Sequence, residues 1–156
     1  FDEFRQAHIR TTAVCRDHAA LARAAEDFDV LVCGSDQIWS PVWLNPAYFL
    51  NFAGNKPRVA YAPSLGVSQM PNAKKARRMA GLIKQYAAVS VREQEGAHLL
   101  EALVGYPPAV MPDPVCLQTR QAWQALARHP HFETPYLLCY FIAARPKLLQ
   151  LTVLTI

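Results

Sequence analysis

Five short apolar runs along the chain predict the strands of a β-sheet. The runs are mostly continuously apolar rather than alternating, which is typical of strands buried on both faces of a parallel sheet. They lie at Val30–Cys33, Val59–Ala62, Ala88–Val91, Ala109–Met111 and Tyr136–Ile142.

Helical patterns separate most of these runs. The clearest one places Ala76, Met79, Ala80 and Ile83 on one apolar stripe, with a basic opposite face that we interpret as solvated surface, the alternative being a binding role. Alternating strands and helices predict an α/β fold, a Rossmann-like parallel sheet with helices on both faces. The predicted helices are Asp17–Glu26, Ala73–Ala87, Glu93–Val104 and Gln118–Arg128, and the basic residues are Lys74, Lys75, Arg77, Arg78 and Lys84.

Composition narrows the class of protein. The chain has 156 residues, 52% of them hydrophobic, which suits one globular domain. The net charge of +4 fits a mildly basic soluble protein or, alternatively, a site for an anionic substrate. Nucleic acid is disfavoured because the basic residues are not interleaved with exposed aromatics. No apolar run is long enough to span a membrane. The cysteines show no C-x-x-C spacing, so we expect a protein of the cytoplasm with reduced thiols. We also expect neither a metal nor a cofactor.

Polar residues follow four of the predicted strands. Ligands of open α/β sheets bind outside the carboxyl ends of the strands, so we expect a site where these residues meet. A long connection, residues 35–57, leaves the first strand, and loops of that length are usually functional. The candidate binding residues are Gly34, Ser35, Asp36, Gln37, Trp39, Ser64, Gly66, Arg92, Glu93 and Asp113.

These residue types suit a sugar ligand. Asp36 and Gln37 would hydrogen-bond hydroxyls while Trp39 packs against an apolar ring face, and Arg92 would hold a carboxylate or phosphate. Structural alternatives stay open. Gly34 would be a turn glycine, Asp36 a helix cap, Trp39 a core aromatic, Asp113 a turn residue, and Arg92 with Glu93 part of an ion pair.

Five blocks of sequence resemble the polysaccharide pyruvyl transferase family, in the family's order. The first is DVLVCGSDQIWSP, and the fifth is VMPDPVCL. The blocks are Asp29–Pro41, Asn45–Asn55, Arg58–Ser68, Ala87–Gly105 and Val110–Leu117.

The resemblance implies transfer of a pyruvyl group from phosphoenolpyruvate to a sugar of a polysaccharide or its precursor. It also implies a fold like the N-terminal half of a two-domain transferase of the GT-B type. We expect residues 1–142 to form this domain, incompletely, and residues 143–156 to be an atypical tail. The family's glycine- and asparagine-containing N-terminal loop and its C-terminal Arg/His cluster are not found. The chain is therefore expected to be inactive alone, and no catalytic residue is assigned.

Two other functions remain as alternatives to pyruvyl transfer. One is a domain of a glycosyltransferase that uses a nucleotide sugar, although neither a Walker-type loop nor G-x-G-x-x-G is present. The other is a non-catalytic sugar-binding remnant. The acceptor sugar and the oligomeric state are not predicted.

Overall fold

The computed structural model describes residues 2–127 of the chain. The chain divides into two compact units, Phe1–Gln118 and Thr119–Ile156; the first contains the whole described sheet. The predicted strand Tyr136–Ile142 lies outside the described residues. The helices are α1 (Asp2–His8), α2 (His18–Ala25), α3 (Ala73–Ile83), α4 (Gln94–Val104) and α5 (Arg120–Leu126), with 3₁₀ turns at Pro46–Phe49 and Pro114–Leu117. The strands are β1 (Leu31–Cys33), β2 (Arg58–Ala60), β3 (Ala88–Val91) and β4 (Ala109–Val110).

The four strands form one parallel sheet whose order follows the chain, β1-β2-β3-β4. Cys33 pairs with Ala60, and Ala60 pairs with Val89. At the far edge Val91 pairs with Val110. The predicted parallel α/β fold is therefore confirmed, with each strand no longer than its apolar run. No helix within residues 2–127 is long and apolar enough to cross a bilayer.

The hydrophobic core lies on one face of this sheet. Because each connection steps to the next strand in the same direction, right-handed crossovers bring all of them to that face. The core joins strand side chains to residues of α3, α4 and the long loop; its members include Cys33, Trp39, Phe49, Ala60, Met79, Ile83, Val91, Ala97 and Leu100. On the opposite face Val30 and Val32 are 46% and 63% exposed, so residues 2–127 place no helix over them.

Trp39 anchors the long connection between β1 and β2 to the core. Its side chain is completely buried, stacks on Phe49 at 5.0 Å between ring centroids, and meets Tyr86 edge-on at 5.4 Å. Its indole N–H donates to the carbonyl of Tyr48 at 3.3 Å. Such aromatic pairs add specific geometry to apolar burial. The interpretation of Trp39 as a core aromatic fits this position, and a sugar-stacking role does not, because no ring face is accessible.

Helix α3 ends at Ile83, four residues before the predicted end at Ala87. The chain turns there so that Tyr86 enters the core, where its hydroxyl lies 3.2 Å from the Cys33 thiol. Burial raises the pKa of both groups, which keeps both protonated and uncharged in the core. Helix α4 ends at Val104, as predicted. Gly105 caps it in the left-handed conformation, with φ 88°.

Replacing Leu100 tests whether α4 closes this core. Leu100 is completely buried, and Leu100→Ala should lower the free energy of unfolding by roughly 2–5 kcal/mol, because a cavity adds to the lost burial. The measurement is urea denaturation of the full chain. Leu117 is 60% exposed, and Leu117→Ala should cost no more than about 0.5 kcal/mol. Equal losses for the two variants would contradict the packing described.

Candidate functional site

The loop after β1 begins at a glycine that the neighbouring backbone requires. Gly34 has φ 131°, and a Cβ atom there would overlap the carbonyl oxygen of Tyr61. Close approach of two loops therefore explains this glycine. After Gly34 the chain runs beside the loop that follows β2, and these two loops remain in contact.

Asp36 lies exposed at the tip of this first loop. Its backbone is left-handed, φ 66°, a conformation that costs energy for a residue with a side chain and is concentrated at functional sites. Its carbonyl accepts the Ser64 N–H at 2.7 Å, and its Oδ1 accepts the Gln37 N–H at 2.8 Å. Oδ2 makes no hydrogen bond within the described part of the chain. Asp36 caps no helix there, so its carboxylate is available to a ligand.

A network of polar side chains joins the loops after β1, β3 and β4. The Ser35 hydroxyl lies 2.8 Å from Asp113 Oδ2 and 2.9 Å from the carbonyl oxygen of Ala62. Arg92 donates to the same Asp113 oxygen at 3.0 Å and to Glu93 Oε1 at 2.9 Å. All four loops predicted from the sequence therefore meet at the carboxyl edge of the sheet.

Arg92 is engaged by two carboxylates. Its hydrogen bond to Glu93, followed by that to Asp113, raises the pKa of Arg92. The Val115 N–H, the Ser35 hydroxyl and Arg92, in that order, lower the pKa of Asp113. The ion-pair interpretation of Arg92 and Glu93 describes this geometry. Arg92 as a free clamp for a ligand anion does not, because its charge is already neutralised.

An open cleft of about 340 Å³ lies beside the network. Gln37 covers Gly66 so closely that a Cβ atom on the glycine, at φ 63°, would lie 2.8 Å from the Gln37 amide carbon. Ser64 is 1% exposed, and its hydroxyl accepts the Gly66 N–H at 3.1 Å, so it shapes the loop. The cleft is lined by Gln37, Ser64, Leu65, Gly66, Val67, Ser68, Glu93, Glu95 and Gly96.

Five lining residues were not predicted from the sequence: Leu65, Val67, Ser68, Glu95 and Gly96. Glu95 and Gly96 belong to the first turn of α4, which begins at this edge of the sheet. A detectable signal was the second glutamate two positions after Glu93. Within residues 2–127 no group of three or more histidine, cysteine or acidic side chains is placed to hold a metal ion.

The site is rich in hydrogen-bond acceptors. Asp36, Glu93, Glu95 and Asp113 bring four carboxylates to the edge, against the single guanidinium of Arg92. Ionised carboxylates only accept hydrogen bonds, so the edge suits a ligand with many hydroxyl groups. It disfavours phosphate and carboxylate groups, because like charges repel at short range.

The fold defines the class, an α/β domain with a parallel sheet, and domains of this class bind their ligands at the carboxyl edge of the sheet. The sequence profile of the polysaccharide pyruvyl transferase family matches residues 2–151, so the chain belongs to that family. No curated protein and no solved structure matches significantly. The family indicates a transferase whose substrate is a sugar or polysaccharide. The match includes part of the segment after residue 142, and a domain boundary there stays a prediction.

The lowered pKa of Asp113 makes the network sensitive to acid. A carboxyl group whose folded pKa lies below its ordinary value of 3.8 stabilises the fold above that pH, and the contribution is lost as the pH falls through the folded pKa. Asp113→Asn should therefore destabilise the chain above pH 3.8, with the difference from the unmodified chain shrinking below it.

Unfolding by urea at a series of pH values measures this difference. Asp27 provides the matched control, since it is exposed and makes no hydrogen bond within residues 2–127. Asp27→Asn should change the free energy of unfolding little across the same range. A gap between Asp113→Asn and the unmodified chain that stays constant below pH 3.8 would contradict the network.

Proposed function

We propose that the carboxyl edge of this sheet is the sugar-acceptor side of a pyruvyl transferase site. The reaction would move a pyruvyl group from phosphoenolpyruvate onto two hydroxyls of one sugar, as a cyclic ketal. The observation that carries the proposal is a cleft that includes Glu93 and Glu95 and is lined by the loops after β1, β2 and β3, in a member of this family.

The chemistry sets separate demands on the two substrates. The donor methylene must take up a proton from a general acid as a sugar hydroxyl adds to the adjacent carbon. Phosphate then leaves that carbon, and the second hydroxyl closes the ketal ring. Both hydroxyl protons pass to bases, and the departing phosphate needs cationic partners. The acceptor therefore calls for hydrogen-bond acceptors, and the donor for cations.

Asp36 is the residue best placed to meet the acceptor's demand. It is exposed, with one carboxylate oxygen held by the Gln37 N–H and the other free within the described residues. That oxygen would accept a hydrogen bond from a sugar hydroxyl and then its proton. Gln37, fixed over Gly66, and Glu95 at the start of α4 would hold neighbouring hydroxyls.

The donor's demand is not met by the residues at this edge. Arg92 is the only cation among the loop residues described above, and Glu93 and Asp113 already engage it. Cations outside this edge, such as the Arg/His cluster of the family, would have to hold the donor's phosphate and carboxylate. The catalytic acid would belong with them. A reduced cytoplasmic setting is part of the proposal, and Cys15, Cys33 and Cys116 are free thiols.

Acceptor binding is tested by removing the Asp36 charge. The full chain should bind methyl galactoside, a neutral hexoside with several free hydroxyls, in a calorimetric or nuclear magnetic resonance titration. Asp36→Asn should weaken binding roughly tenfold or more, because hydrogen bonds to charged groups contribute about 1.5–3 kcal/mol. Asp29 is exposed and precedes β1, at the opposite edge of the sheet from Asp36, so Asp29→Asn should leave the affinity unchanged.

Two results would contradict this assignment. If Asp36→Asn and Asp29→Asn bind the hexoside as the unmodified chain does, Asp36 is not an acceptor ligand. If the chain binds a nucleotide sugar and the free nucleotide competes with it, the glycosyltransferase alternative is favoured instead.

Phosphate release tests the missing donor clamp. The 156-residue chain, given phosphoenolpyruvate and an acceptor sugar, should release phosphate no faster than the uncatalysed control. The physical reason is that the carboxyl edge, within residues 2–127, offers no free cation to stabilise the leaving group. A coupled phosphate assay measures it. Sugar-dependent phosphate release by this chain would support pyruvyl transfer but overturn the proposal that the chain is inactive alone.

A further inference from the structure

The positive charge of the chain is concentrated in one segment. Between Asp36 and Glu93 there is no aspartate or glutamate. The same segment contains the cations Lys56, Arg58, Lys74, Lys75, Arg77, Arg78, Lys84 and Arg92. The net charge of +4 is therefore unevenly distributed: this segment is strongly basic, whereas the cleft carries the carboxylates of Glu93 and Glu95.

Half of these cations lie on the outer face of α3. Four of them are exposed and fall within one side of the helix, which we call the α3 basic face; they are Lys74, Arg77, Arg78 and Lys84. The helix rises 1.5 Å per residue, so the face runs about 15 Å along its axis. Within residues 2–127 none of the four forms an ion pair.

The opposite side of α3 is already used by the core. Met79 and Ile83 are completely buried, and Lys75 turns to donate to the Val42 carbonyl of the long loop. Gly81 lies among the four cations with nothing within 4 Å of where a Cβ atom would stand. Within residues 2–127 the α3 basic face is thus unpaired and free to meet a partner. Successive cations of the face lie within about one Debye length of each other along the helix axis, so they can act jointly.

We propose that the α3 basic face binds the acidic polysaccharide that pyruvyl transfer produces. The inference rests on the proposed function. Each ketal keeps the carboxylate of the transferred pyruvyl group, so a neutral acceptor chain becomes a polyanion as the reaction proceeds. Carboxylates that the acidic cleft repels are attracted by lysine and arginine on α3.

The position of α3 would allow one polymer to contact the α3 basic face with its modified units while its next unmodified sugar lies in the cleft. Ser68 lines the cleft, and α3 begins a few residues later at Ala73. The α3 basic face therefore begins within a few residues of the cleft lining, where a modified unit leaving the cleft could meet it. Holding the modified part of the polymer would keep the next neutral unit close to Asp36.

Two other anionic partners fit the face less well. A bilayer-binding helix presents apolar side chains for insertion, but the large apolar residues of α3 point into the core. Single-stranded nucleic acid binds to cations interleaved with exposed aromatics, and α3 has no aromatic residue. Acidic polysaccharide requires neither feature.

The experiment compares one polymer in two charge states. A galactan carrying pyruvyl ketals and the same galactan stripped of them by mild acid are titrated against the 156-residue chain. The chain should bind the ketal-bearing form roughly tenfold or more tightly, and high salt should remove the difference, because exposed ion pairs are individually weak and screened.

A charge-matched pair of variants locates the binding. The test variant replaces all four cations of the α3 basic face by glutamine and should lose the preference for the ketal-bearing form. The control removes the same number of exposed cations elsewhere and should retain it. Its substitutions are Arg5→Gln, Arg10→Gln, Arg16→Gln and Arg23→Gln.

Three outcomes would overturn the inference. They are equal affinity for the two galactans, equal loss in both variants, and equally tight α3-dependent binding of anionic lipid vesicles or DNA. None of them affects the proposed acceptor site, which is tested separately by hexoside binding to Asp36→Asn. Loss of hexoside binding with retained galactan discrimination would instead separate the α3 basic face from the cleft.

Discussion

The hydrogen-bonded ion pair between Arg92 and Asp113, 3.0 Å long, is the contact on which the site depends. Arg92 follows β3 and Asp113 follows β4, so the pair fixes two loops that the short strands alone would hold weakly. Ser35 extends it to the loop after β1 through the same carboxylate oxygen. The pair also neutralises Arg92, the only cation among the loop residues that the structure describes at this edge, which leaves a surface of hydrogen-bond acceptors suited to hydroxyls.

Residues of the hydrophobic core hold the polar network of Ser35, Arg92 and Asp113 in place. Trp39 and Phe49 stack beneath the long loop, and Asp36 is held at the tip of the same loop by the Ser64 N–H. Ser64 in turn sits one residue before Leu65, which belongs to the core. Apolar burial therefore sets the positions of the polar groups, although none of the aromatic residues contacts the cleft.

Much of the fold followed from the sequence because its signals were local. Continuous apolar runs marked the four parallel strands, and Gly105 marked the end of α4. Helices were predicted on both faces of the sheet, whereas the core within residues 2–127 lies on one face. The difference arises because strand order is a property of chain topology rather than of any one apolar run. Trp39 was ambiguous for a related reason: a tryptophan beside polar loop residues suits either a core or a sugar platform. The end of α3 depended on Tyr86 turning into the core, a contact between distant positions.

The sequence predicted many of the residues of the candidate site, but not which hydrogen bonds and ion pairs they form with each other. Each loop after a strand contributed, as expected from parallel sheets. The engagement of Arg92 by two carboxylates was one of two open interpretations, since pairing depends on side-chain distances. The charge of each surface then sets its proposed ligand. The acidic cleft would bind neutral sugar hydroxyls, and the α3 basic face would bind the acidic polymer. Both proposals follow from the same separation of charge.

Amide chemical-shift mapping during a methyl galactoside titration tests most directly whether the loops after β1, β2 and β3 form one sugar-binding edge. The account predicts shifts that saturate together at Asp36, Gln37, Gly66 and Glu95. Amides at the opposite edge of the sheet, such as Asn55, should not move. Shifts confined to one loop, or larger at the opposite edge than at Asp36, would contradict it.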